Sequence, residues 1–187
     1  NGRIADLTGG MGLDSYAFAK AGCEVVYLER QDELAKITSY NHKKLNLFSI
    51  THLSGDSYNW LKEQTEPLDF LYIDPARRDK AGKKVVLLAD CEPNALELIP
   101  YITDKTSLLI KTSPLLDLDR AIKELQGVEK VFIVCVKNEV KELLFLKTIY
   151  SSENPKISVI ELSQENSIIY QSNKSLEAAT EITFSDP

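Results

Sequence analysis

No stretch of this sequence is apolar over the roughly 20 residues that a membrane-spanning helix needs. No basic start followed by an apolar stretch marks a secretory leader either, so a cytoplasmic setting is the expectation. Cysteine is scarce: Cys23, Cys91 and Cys135 stand far apart with no C-x-x-C pair, which argues against a disulfide framework or a thiolate metal cluster. They read as small buried hydrophobes in a reducing compartment. Histidine is scarcer still. His42 and His52 have no ligand partners at metal spacing, and no metal site is expected. Positive charge is also short, with 22 Lys and Arg against 28 Asp and Glu and a net charge of −6. A protein that coats duplex nucleic acid by bulk charge is usually basic, so any nucleic-acid contact must come from a local patch or another domain.

What is present is ordinary for a folded domain: 187 residues, 43% hydrophobic and 27% charged, enough for one real core. The lone methionine is Met11, and Asn1-Gly2-Arg3 leads at once into an apolar strand. The expectation is a single domain over 1–187, a piece of a longer multidomain polypeptide whose substrate-binding parts lie outside it.

Apolar runs and turn residues alternate in a βα rhythm. Strands are predicted at 3–7, 24–29, 50–53, 68–73, 107–111, 131–136 and 157–162, with a further short one at 168–170. Helices are predicted at 13–20, closed by Gly22, at 32–45, near 57–63, at 94–102 with Pro100 disturbing its last turn, and at 117–125, closed by Gly127. The run 140–146 fits helix or strand. Such alternation predicts an α/β fold with a mostly parallel sheet covered on both faces.

Ligands of open α/β sheets sit beyond the carboxyl ends of the strands, so those tips carry the chemistry. The first strand ends in Asp6-Leu7-Thr8-Gly9-Gly10-Met11-Gly12-Leu13-Asp14. Glycines there let the backbone turn tightly and approach a ligand. The second strand ends in Glu29, a carboxylate placed to accept from ribose hydroxyls. Asp56 follows the third strand; it suits an adenine amino group, and equally the N-cap of the next helix. The fourth strand ends in Asp74-Pro75-Ala76-Arg77-Arg78. Arg77 and Arg78, with Lys80, Lys83 and Lys84, form a local basic stretch on an acidic chain. It suits phosphate or carboxylate recognition, or simply a solvated loop. Lys111, at the end of the fifth strand, reaches Asp74, the substrate or solvent.

Taken together, Asp6-x-Thr-x-Gly10-x-Gly12, Glu29, Asp56 and Asp74-Pro75 resemble motifs I to IV of the class I S-adenosylmethionine-dependent methyltransferases. The resemblance spans roughly residues 3–136. It implies a Rossmann-like αβα sandwich with strand order 3-2-1-4-5-7-6, the last strand antiparallel, and S-adenosyl-L-methionine as methyl donor. It implies that Asp6, Thr8, Gly10 and Gly12 hold the methionine part, Glu29 the ribose, and Asp56 with Ser57 the adenine. The stretch 6–30 also resembles bacterial enzymes that methylate a guanine exocyclic amine in small-subunit ribosomal RNA. That implies RNA as partner, Asp74 and the Pro75 carbonyl as acceptors from the target amine, and Arg77, Arg78 and Lys111 as substrate contacts.

Two positions depart from the family pattern. Thr8 stands where the first motif glycine is usual, and Asp-Pro-Ala-Arg-Arg replaces Asp-Pro-Pro-Tyr, removing the aromatic ring that stacks on a base. Methylation of a protein or small molecule, and a non-catalytic cofactor-binding scaffold, are therefore the alternatives. A nicotinamide-dependent oxidoreductase fits less well, because the turn reads Gly-Gly-Met-Gly with Asp14 where a last glycine would fall.

Overall fold

The structure, a computed structural model, describes residues 2–76, 88–162 and 167–173. Its first half is a run of βα units: β1 (Arg3–Asp6), α1 (Leu13–Lys20), β2 (Glu24–Glu29), α2 (Asp32–Lys44), β3 (Ile50–Ser54), α3 (Ser57–Glu63) and β4 (Phe70–Ile73). Two 3₁₀ segments, Leu88–Asp90 and Ala95–Tyr101, precede β5 (Ser107–Thr112) and α4 (Leu118–Glu124). The second half is strand: β6 (Lys130–Val136), β7 (Glu139–Lys147), β8 (Lys156–Leu162) and β9 (Ser167–Asn173).

All nine form one sheet in the order β3-β2-β1-β4-β5-β7-β6-β8-β9. The strands β3, β2, β1, β4 and β5 run parallel, while β7 is antiparallel to both β5 and β6. This is the expected 3-2-1-4-5-7-6 order, extended by β8 parallel to β6 and β9 antiparallel to β8.

Both faces of the parallel half are covered, and the side-chain alternation of each strand divides the core in two. Val26 and Leu28 of β2 join Ala5, Leu71, Ile73, Leu108 and Ile110 in the larger cluster. Val25 and Tyr27 point the other way, with Ala35 of α2 and Ile50 of β3. Helix α2 buries Ala35, Thr38 and His42, a stripe at helical spacing that lays it on β2 and β3.

Two local outcomes differ from, or go beyond, the sequence reading. Residues 95–101 form a 3₁₀ helix with Pro100 inside it. Proline has no N–H to donate, so an α-type ladder cannot run through that turn. The ambiguous run 140–146 is strand β7, joined to β6 by a tight hairpin at Lys137 and Asn138, both at positive φ (54° and 60°). Paired left-handed residues suit a two-residue hairpin. Among the described residues no helix is long and apolar enough to cross a membrane.

Candidate functional site

A cleft of about 580 Å³ opens at the carboxyl ends of β1 to β4, within the roughly 300–1,000 Å³ usual for small-molecule sites. Thr8, Glu29, Asp56, Ser57 and Asp74 all line it. The structure thus brings the tips of four strands to one place.

The turn after β1 is built by its own polar groups. Asp6, 1% exposed, accepts the Ser15 hydroxyl at 2.6 Å and the Thr8 amide at 3.2 Å. Burial pushes its carboxyl up to about 6, against the pull of those two hydrogen bonds. Gly10 and Gly12 adopt positive φ of 52° and 75°. The Gly10 carbonyl accepts from the Tyr27 hydroxyl at 2.6 Å and the Thr38 hydroxyl at 3.1 Å. A Cβ on Gly9 would lie 2.3 Å from the Tyr27 ring, so this glycine is required by space. Asp6, Gly10 and Gly12 stand behind the lining residues and shape the turn that carries Thr8.

His42 supports the same turn from below. Its Nε2 lies 3.1 Å from the Gly12 carbonyl and its Nδ1 lies 2.8 Å from Nε2 of His52. The carbonyl can only accept, so His42 donates from Nε2 and receives the His52 proton on Nδ1. Burial lowers both imidazoles' proton affinity, His52 to about 4 with His42 and Lys43 adding repulsion.

Glu29 is buried, and its two oxygens each accept one main-chain amide, from Gly10 at 2.9 Å and from Gln31 at 2.8 Å. Each carboxylate oxygen keeps a second lone pair, so the group both ties the turn to β2 and can still receive hydroxyl protons. Asp56 caps α3, accepting the Asn59 amide at 2.8 Å through Oδ1. It is exposed and lines the cleft, so the cap and a ligand contact through the other oxygen are compatible.

Past β4, the Asp74 amide donates to the Thr8 hydroxyl at 2.7 Å. Pro75 is buried beside it. Lys111, only 15% exposed, contacts Asp14 at 2.8 Å and Asp74 at 3.2 Å. Burial works against its charge, but the neighbouring carboxylates outweigh this and hold the ammonium above the usual lysine range. Arg77 and Arg78 lie outside the described residues.

The sequence reading missed one wall. Cys91, Glu92, Pro93, Asn94 and Glu97 also line the cleft, with Glu92 bridged to Arg30 at the mouth and paired through its backbone to Ala76. The signal available was Glu92-Pro93-Asn94, a turn-forming group just ahead of a helical run.

No protein-family profile matches the chain. A crystal structure from Porphyromonas gingivalis W83, assigned as a methyltransferase, superposes with a TM-score of 0.80 at 31% identity, covering 100% of this chain and 47% of that one. The chain carries the class I methyltransferase fold. Within this fold it also resembles a ribosomal RNA small subunit methyltransferase J of Shewanella denitrificans, 26% identical over 153 residues, or 72% of this chain and 59% of that one. A Streptococcus mutans methyltransferase-fold structure, solved in complex with S-adenosylhomocysteine, shares the fold at 16% identity and a TM-score of 0.51, covering 78% of this chain and 87% of that one. The methyltransferase-fold chain spans about half the length of the relatives it matches best.

Proposed function

We propose that this chain transfers a methyl group from S-adenosylmethionine to RNA, with an exocyclic base amine as acceptor. The observation that carries the reading is the convergence of Thr8, Glu29, Asp56 and Asp74 on one cleft. The relatives named as ribosomal RNA small subunit methyltransferases support the choice of RNA.

The residues present fit the donor. Glu29 has acceptor capacity left for the ribose hydroxyls. Asp56 and Ser57 stand where the adenine would lie, and the glycine turn, held by Asp6 and carrying Thr8, Gly10 and Gly12, borders the methionine part. When bound, S-adenosylmethionine supplies a methyl group already activated by its sulfonium. The protein's task is then to position the nucleophile, where proximity and orientation do most of the work. Asp74 and the Pro75 carbonyl accept hydrogen bonds from the amine and aim its lone pair. The nitrogen forms the new N–C bond as the C–S bond breaks with its electron pair left on sulfur, and Asp74 takes the proton that the nitrogen sheds. Arg77 and Arg78 then serve RNA phosphates beside the cleft.

Two measurements test this. Thermal stability should rise with S-adenosylmethionine and S-adenosylhomocysteine and not with NAD. Labelled methyl should pass to small-subunit RNA in preference to protein extract or small metabolites. Cofactor binding with no transfer from the full-length protein would leave a scaffold instead.

A further inference from the structure

We infer that Lys111 is a positioning residue that keeps Asp74 ionised and fixed as the acceptor beside the reacting amine, and does not itself bind substrate. The inference rests on the role of Asp74 given above. Lys111 ends β5, and its ammonium is enclosed by carboxylates from three other elements. Asp14, in the first turn of α1, receives it at 3.0 and 2.8 Å. Asp74, at the tip of β4, lies at 3.2 Å, and Glu142 of β7 at 3.8 Å. An ammonium has three N–H donors, and these acceptors consume them. None is left to reach a phosphate.

The charges around it explain why a cation is needed. Asp14, Asp74 and Glu142 face one nitrogen, and the buried Asp6 carboxyl also feels Lys111 and Asp14. Tyr72 donates its hydroxyl to Asp14 at 2.9 Å, and burial together with these acids holds its own proton in place well above the usual phenol range. Carboxylates crowded in this way cannot all stay ionised without a counter-charge, and one takes up a proton. A protonated Asp74 neither accepts from the amine nor receives its proton. Lys111 removes that option and fixes one Asp74 oxygen, while the Thr8 hydroxyl fixes the Asp74 main chain.

The test follows the Asp74 carboxyl directly, by carbon-13 NMR titration of the cofactor-free full chain, alongside the pH profile of transfer. In Lys111→Met the Asp74 titration should move up by about one pH unit or more. The acid limb of the kcat profile should move with it, and kcat near pH 6.5 should fall about tenfold, with KM for S-adenosylmethionine nearly unchanged. Lys111→Arg should restore most of both. Asp14→Asn, which leaves Lys111 to Asp74 alone, should move the titration down and guards against a misfolded Met variant. An Asp74 titration that superimposes on wild type in both Lys111→Met and Asp14→Asn would overturn the inference. Wild-type protein inert toward RNA, with the Asp74 titration still moved by Lys111→Met, would instead overturn the methyl-transfer reading and support the coupling.

Discussion

The Thr8 hydroxyl accepts the main-chain amide of Asp74 at 2.7 Å, tying the tip of β1 to the tip of β4. This contact gives a physical reason for a threonine where the first motif glycine is usual, since glycine has no side-chain acceptor. Thr8→Gly should leave the Asp74 amide to water and loosen the acceptor. A neutral hydrogen bond of this kind contributes about 1 kcal/mol, so methyl transfer should fall roughly fivefold, while Thr8→Ser, which keeps the hydroxyl, stays near wild type. Equal rates for the two variants would show that the contact has no part in positioning.

Asp74 itself should be separable from cofactor binding. In Asp74→Ala, transfer should drop by about 10²–10⁴-fold, the usual worth of a positioned acid–base group, while calorimetric affinity for S-adenosylhomocysteine changes little. Unchanged transfer would remove Asp74 from the mechanism.

Glu29 has two duties, and substitution should expose both. Glu29→Ala strips acceptors from the Gly10 and Gln31 amides and costs the fold about 1–3 kcal/mol for groups left unpaired. Glu29→Gln keeps one good acceptor. Both should bind S-adenosylmethionine at least roughly tenfold more weakly, but only the alanine variant should melt much earlier. Full affinity in Glu29→Gln would place the ribose elsewhere.

The buried imidazoles and the buried aspartate predict opposing pH effects on stability. The folded-state value of His52 is depressed to about 4. Between the unfolded value of 6.5 and about 4 the unfolded chain binds a proton that the native one does not, so stability from this group is lost as pH falls through that window. The folded-state value of Asp6 is raised to about 6, so its contribution runs the other way, favouring the native state as pH falls from about 6 toward 3.8. His52→Gln removes the first effect only. Its melting temperature relative to wild type should therefore climb on acidification from pH 6.5 to 4; a constant difference would show that His52 titrates normally in the folded protein.

The double variant Arg77→Ala with Arg78→Ala addresses the basic stretch. If both arginines touch phosphates, RNA affinity should fall and the slope of log K against log salt should lessen by up to about 1.4 to 1.8 for single- or double-stranded contacts. An unaltered slope would mean that the two side chains face solvent.

The sequence alone determined the βα rhythm, the strands and helices of the first half, and the residues at the strand tips. These are local properties: apolar period, capping residues and glycine turns act over a few neighbours, and Asp6, Thr8, Glu29, Asp56 and Asp74 are legible because each ends a run of buried residues. Tertiary structure decided what each of those groups is bonded to. That Asp6 faces Ser15, that Glu29 spends a lone pair on Gly10, that His42 props Gly12, and that Lys111 is surrounded by Asp14, Asp74 and Glu142 depend on residues brought together across the sheet. The conformation of 140–146 was settled in the same way. Its apolar pattern satisfies either period, and the open edges of β5 and β6 offered a ladder that only a strand could complete.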